Sequence, residues 1–256
     1  MTGNKLILVT NDDGYQADGF NALIEAMLPL GDVVAVAPRE AQSGMSHAIT
    51  VKQPLRFHKI KHGERLQVYV VNGTPVDCVK IAINHILHRK PDLLVSGINH
   101  GSNSSTSILY SGTMGAALEG SINLIPSVGF SHIKYSNDID FRAAAKYSAI
   151  IAERVLENGL PRKICLNVNF PDVEADNVAG IKICRQTMGY WREEFDRRID
   201  PVGVEYFWLT GFYHNEEPEA SDTDEWALKH NYVSIVPVQS DLTSYETIKM
   251  LNKWNF

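Results

Sequence analysis

The sequence predicts an α/β fold built on a doubly wound, mostly parallel sheet. Three observations predict it. Short apolar runs lack the alternation of a half-buried strand, so they indicate strands covered on both faces. A helical spacing of apolar residues separates the first two runs. Polar segments that contain glycine follow the runs directly, as expected where parallel strands present their carboxyl ends to a ligand.

The first elements form a strand–helix–strand unit. Residues 5–10 are predicted as a buried strand and residues 18–28 as an amphipathic helix. Residues 33–37 are predicted as the second buried strand, which Pro38 ends. This unit opens a doubly wound sheet.

The later elements continue this pattern and then depart from it. Residues 47–51, 55–58 and 66–71 are predicted as short antiparallel edge strands. Thr74 caps the next predicted helix, with Pro75 at its first position. Further strands are predicted over 92–96, 126–130, 164–168 and 232–236, and further helices over 114–120, 141–156 and 242–254.

Size and composition bound the class of protein. The 256 residues, 44% hydrophobic and 21% charged, predict one domain over 1–256, with a core over about 1–171 and a C-terminal part over about 172–256. The net charge of −6 argues against a nucleic-acid duplex as the partner, and no apolar run is long enough to cross a membrane. The three cysteines lack metal-type spacing, and the chain enters its first strand with no room for a secretion signal. We expect a cytoplasmic protein.

Two adjacent carboxylates, Asp12 and Asp13, follow the first strand. Neighbouring side chains in a strand point to opposite faces, so the two converge only if the chain turns there, and Gly14 permits a turn. An aspartate pair suits a hard divalent cation such as Mg²⁺ or Mn²⁺. A solvated turn is the alternative for this motif taken alone.

Further candidate ligands follow other strands. Ser43, in the loop over 39–46, offers a hydroxyl ligand, although serine is common in any loop. Asn99 and Asn103 offer amide oxygens to a cation or amide donors to an anion. His100 is interpreted as a surface loop histidine without a catalytic role.

The polar segment over 97–113 is long for a loop in a compact domain, which favours a functional role. It ends with Ser111, Gly112 and Thr113 at the start of a helix rich in small residues. A helix N-terminus with adjacent hydroxyls can bind phosphate. An ordinary cap by Ser111 or Thr113 explains the same pattern.

Aromatic and charged residues alternate over 191–208. Aromatic and arginine side chains are favoured at protein interfaces, so this stretch predicts an extended arm or hairpin that docks on a partner surface. A solvated hairpin is the alternative.

An ordered set of motifs extends over almost the whole chain. The set comprises LVTNDDG at 8–14, VAPR at 36–39 with Ser43-Gly44, GTPVDC at 73–78, SGIN at 96–99, YSGTMGAALEG at 110–120, LNVNFP at 166–171, RIDPVG at 198–203, and TD at 223–224 with YVS at 232–234. In this order they resemble the SurE family of survival proteins, which are metal-dependent acid phosphatases that act as 5'/3'-nucleotidases.

The resemblance implies a Rossmann-like core, one divalent cation (Mg²⁺ or Mn²⁺) and a nucleoside monophosphate substrate. The implied metal ligands are Asp12, Asp13, Ser43 and Asn99. It also implies a homodimer or homotetramer with exchanged C-terminal arms.

The expected reaction is hydrolysis of a phosphate monoester, with Asp12 and Asp13 as the catalytic residues. The phosphoryl oxygens would be held by Asn103, Ser111, Gly112 and Thr113. One aspartate, with Asp12 preferred, would orient or deprotonate the attacking water, and a phospho-aspartate is the open alternative.

Three rival functions are weighed against this one. A non-enzymatic receiver-type module also gathers acidic residues around Mg²⁺, but the chain length and the polar segment over 97–113 disfavour it. A phosphatase with an Asp-x-Asp nucleophile is disfavoured because the aspartates are adjacent. No Gly-x-Gly-x-x-Gly follows the first strand, which disfavours a nicotinamide oxidoreductase.

Overall fold

The computed structural model describes residues 4–136 and 138–254. The strands are β1 (Leu6–Thr10), β2 (Asp32–Pro38), β3 (Phe57–His62), β4 (Leu66–Val71), β5 (Leu93–His100), β6 (Ser127–His132), β7 (Ile164–Phe170), β8 (Gly180–Ile183), β9 (Gly189–Ile199), β10 (Glu205–Asn215) and β11 (Tyr232–Gln239). The helices are α1 (Asp18–Met27), α2 (Pro75–Ile81), α3 (Gly112–Ile122), α4 (Arg142–Asn158), α5 (Asp224–Lys229) and α6 (Tyr245–Leu251).

Nine strands form one sheet in the order β3-β4-β2-β1-β5-β6-β7-β11-β8. The six strands from β4 to β7 are parallel. Their order is that of a doubly wound dinucleotide-binding fold. Strands are added on one side of β1 (β2 and β4) and then on the other (β5, β6 and β7), so the strand order reverses between β1 and β5. The predicted α/β class is therefore confirmed, and β1 and β5 mark the point where such folds bind ligands.

Helices cover both faces of the sheet because β1 is apolar on both. Ile7 and Val9 contribute to a cluster with α1 and α4 on one face. Leu8 contributes to a second cluster with α2 and α3 on the other. All three side chains are 0% exposed. Burial on both faces holds the end of β1 rigidly, and with it the residues that follow.

The α2 start agrees with the prediction. Thr74 Oγ1 accepts from Asp77 N at 3.1 Å, and the Asp77 carboxylate accepts from Thr74 N at 2.9 Å, which forms a reciprocal capping box. The prediction of a strand over 47–51 is wrong. The residues that cap α2 provide hydrogen-bond partners for the backbone of this segment instead. Thr74 Oγ1 donates to Ala48 O at 2.8 Å, and Thr50 N donates to the Asp77 carboxylate.

Two other predicted elements differ from the structure. The strand over 66–71 is not an antiparallel edge strand, because it lies parallel to β2 inside the sheet; only β3 is the antiparallel edge. The segment over 97–113 is not a continuous loop, since β5 extends to His100 and residues Ser105–Tyr110 form a 3₁₀ turn. Polar composition suggested a loop, but β5 keeps its pairing with β6 at Asn99 and His100.

The two strands β9 and β10 form an antiparallel hairpin that is a separate sheet, not hydrogen-bonded to the main one. The two strands pair continuously, from Gly189 opposite Asn215 to Ile199 opposite Glu205. Several of the hairpin's apolar side chains are exposed, with Trp208 at 61% and Leu209 at 62%. The hairpin itself matches the prediction; its role in assembly stays a prediction. Among the described residues, no helix combines the length and apolarity needed to traverse a bilayer.

Candidate active site

The site lies at the carboxyl ends of β1 and β5. After β1 the chain turns at Gly14, whose φ of +93° favours glycine, and Asn11 Nδ2 donates to Gly14 O at 2.8 Å. The turn lets both aspartates face cavities beside this edge. Asp12 lines a cavity of about 260 Å³, and Asp13 lines its neighbour of about 300 Å³. His100 lines both.

The cavity at Asp12 brings together five of the eight predicted site residues. Its predicted members are Asp12, Ser43, Asn99, Asn103 and Ser111. Asp13, Gly112 and Thr113 do not line it. Residues from three separate segments of the sequence therefore meet at one opening, although their individual roles stay predictions.

Asn99 reaches the cavity because β5 is irregular there. The register of β5 against β6 shifts between Ser96 and Asn99, and such bulges redirect side chains near active sites. Asn99 Nδ2 donates to Gly101 O at 2.7 Å. With its amide nitrogen used in this way, Asn99 keeps its amide oxygen for a ligand, and amide oxygens suit hard cations.

Asp12 is 3% exposed and lies against the start of α3. Thr113 Oγ1 donates to Asp12 Oδ1 at 2.5 Å. A Cβ at Gly112 would lie 2.9 Å from Asp12 Oδ2, so the helix start approaches the carboxylate closely only because residue 112 is glycine. Burial, and then the charge of Asp13, raise the pKa of Asp12 to about 6, while the Thr113 hydrogen bond opposes that rise.

Asp13 faces His100, which the sequence analysis leaves without a role. Asp13 Oδ1 lies 3.0 Å from His100 Nδ1, and the His100 ring stacks on Tyr135 with ring centroids 5.1 Å apart. Burial raises the pKa of Asp13, whereas the contact with His100 opposes the rise. The Asp13 carboxylate therefore has an imidazole partner, whereas Asp12 forms no ion pair with any residue that the structure describes.

The oxygen-rich edge fits a bound hard cation. Thr10 Oγ1, Asn11 Oδ1 and Ser96 Oγ are buried without a hydrogen-bond partner; Thr10 ends β1, Asn11 follows it, and Ser96 lies opposite Thr10 on β5. Unsatisfied buried oxygens beside two carboxylates of raised pKa are stabilised by a nearby positive charge. Within 4–136 and 138–254, no group of three or more His, Cys, Asp or Glu side chains could hold a metal, so the fit depends on neutral oxygens as well.

The start of α3 serves Asp12 and the helix itself. Ser111 Oγ accepts from Met114 N at 3.0 Å, which is the ordinary N-cap that the sequence left as an alternative. Ser111 nevertheless lines the cavity, and the first-turn amides of α3 lack partners inside the helix. The helix N-terminus therefore places positive partial charge behind Asp12.

Asn103 is fixed by three hydrogen bonds to β6 and β7. Its Nδ2 donates to Ser131 Oγ at 2.7 Å, its N donates to Asn169 Oδ1 at 2.9 Å, and its O accepts from Asn167 Nδ2 at 2.8 Å. Asn167 and Asn169 belong to the LNVNFP motif, which does not by itself indicate a function for either residue. They act on the site by holding the backbone and side chain of Asn103.

A buried carboxylate from the C-terminal part, Asp224, holds the next residues of this segment. Asp224 is 0% exposed, and it accepts from Ser105 N at 2.9 Å, Thr187 N at 3.0 Å, Thr187 Oγ1 at 2.5 Å and Glu225 N at 2.9 Å. Ser105 has a φ of +49°, an uncommon conformation for serine. Four donors on one carboxylate explain how this backbone conformation is maintained.

We expect Asp224→Asn to loosen the cavity wall and to lower the free energy of unfolding by about 1–3 kcal/mol, because an amide turns one acceptor into a donor that faces other N–H groups. Urea unfolding measures the stability, and the KM for substrate should rise more than kcat falls. Asp222→Asn is the matched control, since Asp222 is exposed and pairs with Arg185 at the surface. Equal stability of the two variants would contradict the assignment.

Aromatic residues that the sequence analysis did not assign to the site also line the cavity. These are Tyr110, Tyr135 and Trp191. Trp191 belongs to the stretch that was interpreted as an arm, and its indole donates to Ser107 Oγ at 3.3 Å. The proximity of β9 to the sheet edge depends on tertiary packing, so no local motif indicates it.

Known proteins resemble this chain over nearly its whole length. Residues 7–193 match the family model described as Survival protein SurE. A protein of Christiangramia forsetii named 5'-nucleotidase SurE is 53% identical over 252 residues, covering 98% of this chain and 96% of that protein. A Flavobacterium psychrophilum protein of the same name is 51% identical over 251 residues, covering 98% and 97%.

Structural comparison gives the same result. The crystal structure of the SurE protein from Aquifex aeolicus superimposes with a TM-score of 0.83 at 39% sequence identity, covering 96% of this chain and 98% of that one. The motifs, the sheet order and these full-length similarities agree, and the chain belongs to the SurE survival protein family.

Proposed function

We propose that this chain hydrolyses nucleoside 5'-monophosphates to nucleoside and phosphate with the help of one divalent cation. The observation that carries the proposal is the cavity in which a buried carboxylate, neutral oxygen ligands and a helix N-terminus meet. The names of the relatives, 5'-nucleotidase SurE, supply the substrate class.

Asp12, Asp13, Ser43 and Asn99 would hold the cation. Carboxylate, hydroxyl and amide oxygens are the donors that Mg²⁺ and Mn²⁺ prefer, and the choice between these two ions stays open. When bound, such a cation neutralises phosphoryl oxygens and lowers the pKa of water.

The chain's own residues would bind and orient the phosphate. Asn103 and Ser111 lie on the cavity wall, and Gly112 and Thr113 offer the amides of the first helical turn. These donors would hold the phosphoryl oxygens as negative charge spreads over them during the reaction.

Asp12 is the better placed of the two aspartates to act on the attacking water. It lines the cavity directly, whereas Asp13 lines the neighbouring cavity and faces His100. Attack by Asp12 itself, with a phospho-aspartate, stays open as the alternative.

A substrate panel tests the function. Purified protein with Mg²⁺ or Mn²⁺ should release phosphate from nucleoside 5'-monophosphates, and the parallel assay of 3'-monophosphates measures the second activity implied for the family. Absence of phosphate release from every nucleotide with either metal would overturn the proposal and favour a non-enzymatic, receiver-type role.

The protein is also proposed to form homodimers or homotetramers through the β9–β10 hairpin. A two-stranded hairpin is marginally stable alone, and exposed apolar side chains such as Phe195, Phe207 and Trp208 favour an interface. Light scattering of the intact protein should give two or four times the chain mass of 28.6 kDa. The mass of a single chain at micromolar concentration would contradict this.

A further inference from the structure

A second cavity adjoins the one at Asp12. Its volume is about 340 Å³, and it is lined by Tyr110, Trp191, Glu193, Leu209, Thr210 and Gly211. Tyr110 and Trp191 line both cavities, so the two spaces share an aromatic wall. Apolar surface predominates in both, but the cavity at Asp12 also has many polar side chains on its wall, whereas Glu193 and Thr210 are the polar residues on the wall of the second.

The shared aromatic wall is held in place although it is open to solvent. The indole of Trp191 is 43% exposed, yet it donates to Ser107 Oγ at 3.3 Å. Its ring also packs edge-on against Tyr213, with centroids 6.2 Å apart, and the Tyr213 hydroxyl is hydrogen-bonded to Ser105 Oγ at 2.5 Å. A fixed, half-exposed aromatic surface is suited to stacking with a flat ligand.

The second cavity has the chemistry of a base site and not of a phosphate site. Among the described residues, Glu193 is the only charged one on its wall, and a carboxylate repels a phosphate but accepts hydrogen bonds from ring or exocyclic N–H groups. The apolar space therefore fits the uncharged, flat part of a nucleotide whose phosphate lies at Asp12.

We propose that this cleft between the 3₁₀ turn and the β9–β10 hairpin is the nucleobase subsite, with Trp191 and Tyr110 as its stacking surfaces. The proposal rests on the proposed function and deepens it, because it locates the part of the substrate that distinguishes a nucleotide from other monoesters. Stacking accepts any base, and the larger purines should bind more tightly than pyrimidines.

The test compares substrates with and without a base. For the wild type, kcat/KM for adenosine 5'-monophosphate should exceed that for ribose 5-phosphate, and Trp191→Ala should reduce this ratio about tenfold. Trp191→Phe keeps a stacking ring and should restore most of the ratio. Phe57→Ala is the control, since Phe57 is equally exposed, at 42%, on the far edge strand. An unchanged ratio in Trp191→Ala would overturn the subsite.

A binding measurement separates this inference from the activity. Adenosine, which carries no phosphate, should bind the metal-loaded wild type measurably in calorimetry, and Trp191→Ala should weaken that binding about tenfold. Adenosine binding that Trp191→Ala leaves unchanged would overturn the subsite even if phosphate is released. Loss of phosphate release from all substrates, with adenosine binding intact and sensitive to Trp191, would overturn the proposed function alone.

Discussion

Asp12→Asn is expected to lower the turnover of nucleoside 5'-monophosphates by about 1,000-fold or more. Asparagine has nearly the same shape, but it carries no charge to hold a cation and cannot take a proton from water. Asp12 lines the cavity and is only 3% exposed, so the substitution removes a buried charge from the cavity wall. Steady-state kinetics at saturating Mn²⁺ measures the loss.

The same substitution should leave the metal-free protein folded and no less stable. Burial raises the pKa of Asp12 to about 6, so the folded state holds this proton more tightly than the unfolded state does. At pH 7 the ionised group is therefore unfavourable in the folded metal-free protein, and a neutral asparagine removes that cost. Asp176→Asn, at an exposed position, serves as the control for both activity and stability.

Two results would count against this assignment. Turnover near the wild-type value at saturating Mn²⁺ would show that Asp12 is dispensable. A variant that fails to fold would be distinguished by far-UV circular dichroism, and would show that Asp12 has a structural role instead of the assigned one.

Removal of divalent metal is expected to abolish phosphate release, and addition of Mn²⁺ or Mg²⁺ should restore it. The reason is electrostatic. A phosphate dianion beside a carboxylate about 4 Å away is repelled by roughly 4 kcal/mol per pair of unit charges at an effective dielectric constant near 20. Asp12 and Asp13 would thus repel the substrate unless a cation lies between their carboxylates and the phosphate.

Thermal unfolding gives a readout that does not depend on activity. Mn²⁺ at about 100 times its Kd should stabilise the wild type by about 2.7 kcal/mol, and this shift should be absent from Asp12→Asn. Activity that persists after exhaustive chelation would remove the metal from the reaction. An equal shift in both proteins would place the metal elsewhere.

The central part of the fold could be predicted because its signals are local. The β1, α1 and β2 boundaries lie within one residue of the predicted ones, since a continuous apolar run, a helical spacing and Pro38 each act on the nearby backbone. The positions of Asp12 and Asn99 at one edge follow from the rule that parallel strands present their carboxyl ends together.

Other features depend on contacts between distant segments, and sequence patterns do not show them. Residues 47–51 have apolar side chains suited to a strand, but the α2 cap takes their backbone hydrogen bonds. His100 lies opposite Asp13, and Trp191 reaches the cavity, only because the chain folds back. The roles of individual ligands remain predictions for the experiments above.

The buried carboxylate at Asp224 has a consequence for the order of folding. It belongs to the C-terminal part of the chain, yet it accepts from Ser105 N beside the cavity at Asp12, 119 positions earlier. Contacts between residues so far apart carry a cost in loop-closure entropy and delay folding. The cavity wall would therefore be completed only when the C-terminal part packs, and a partly folded chain would carry the candidate ligands without that wall.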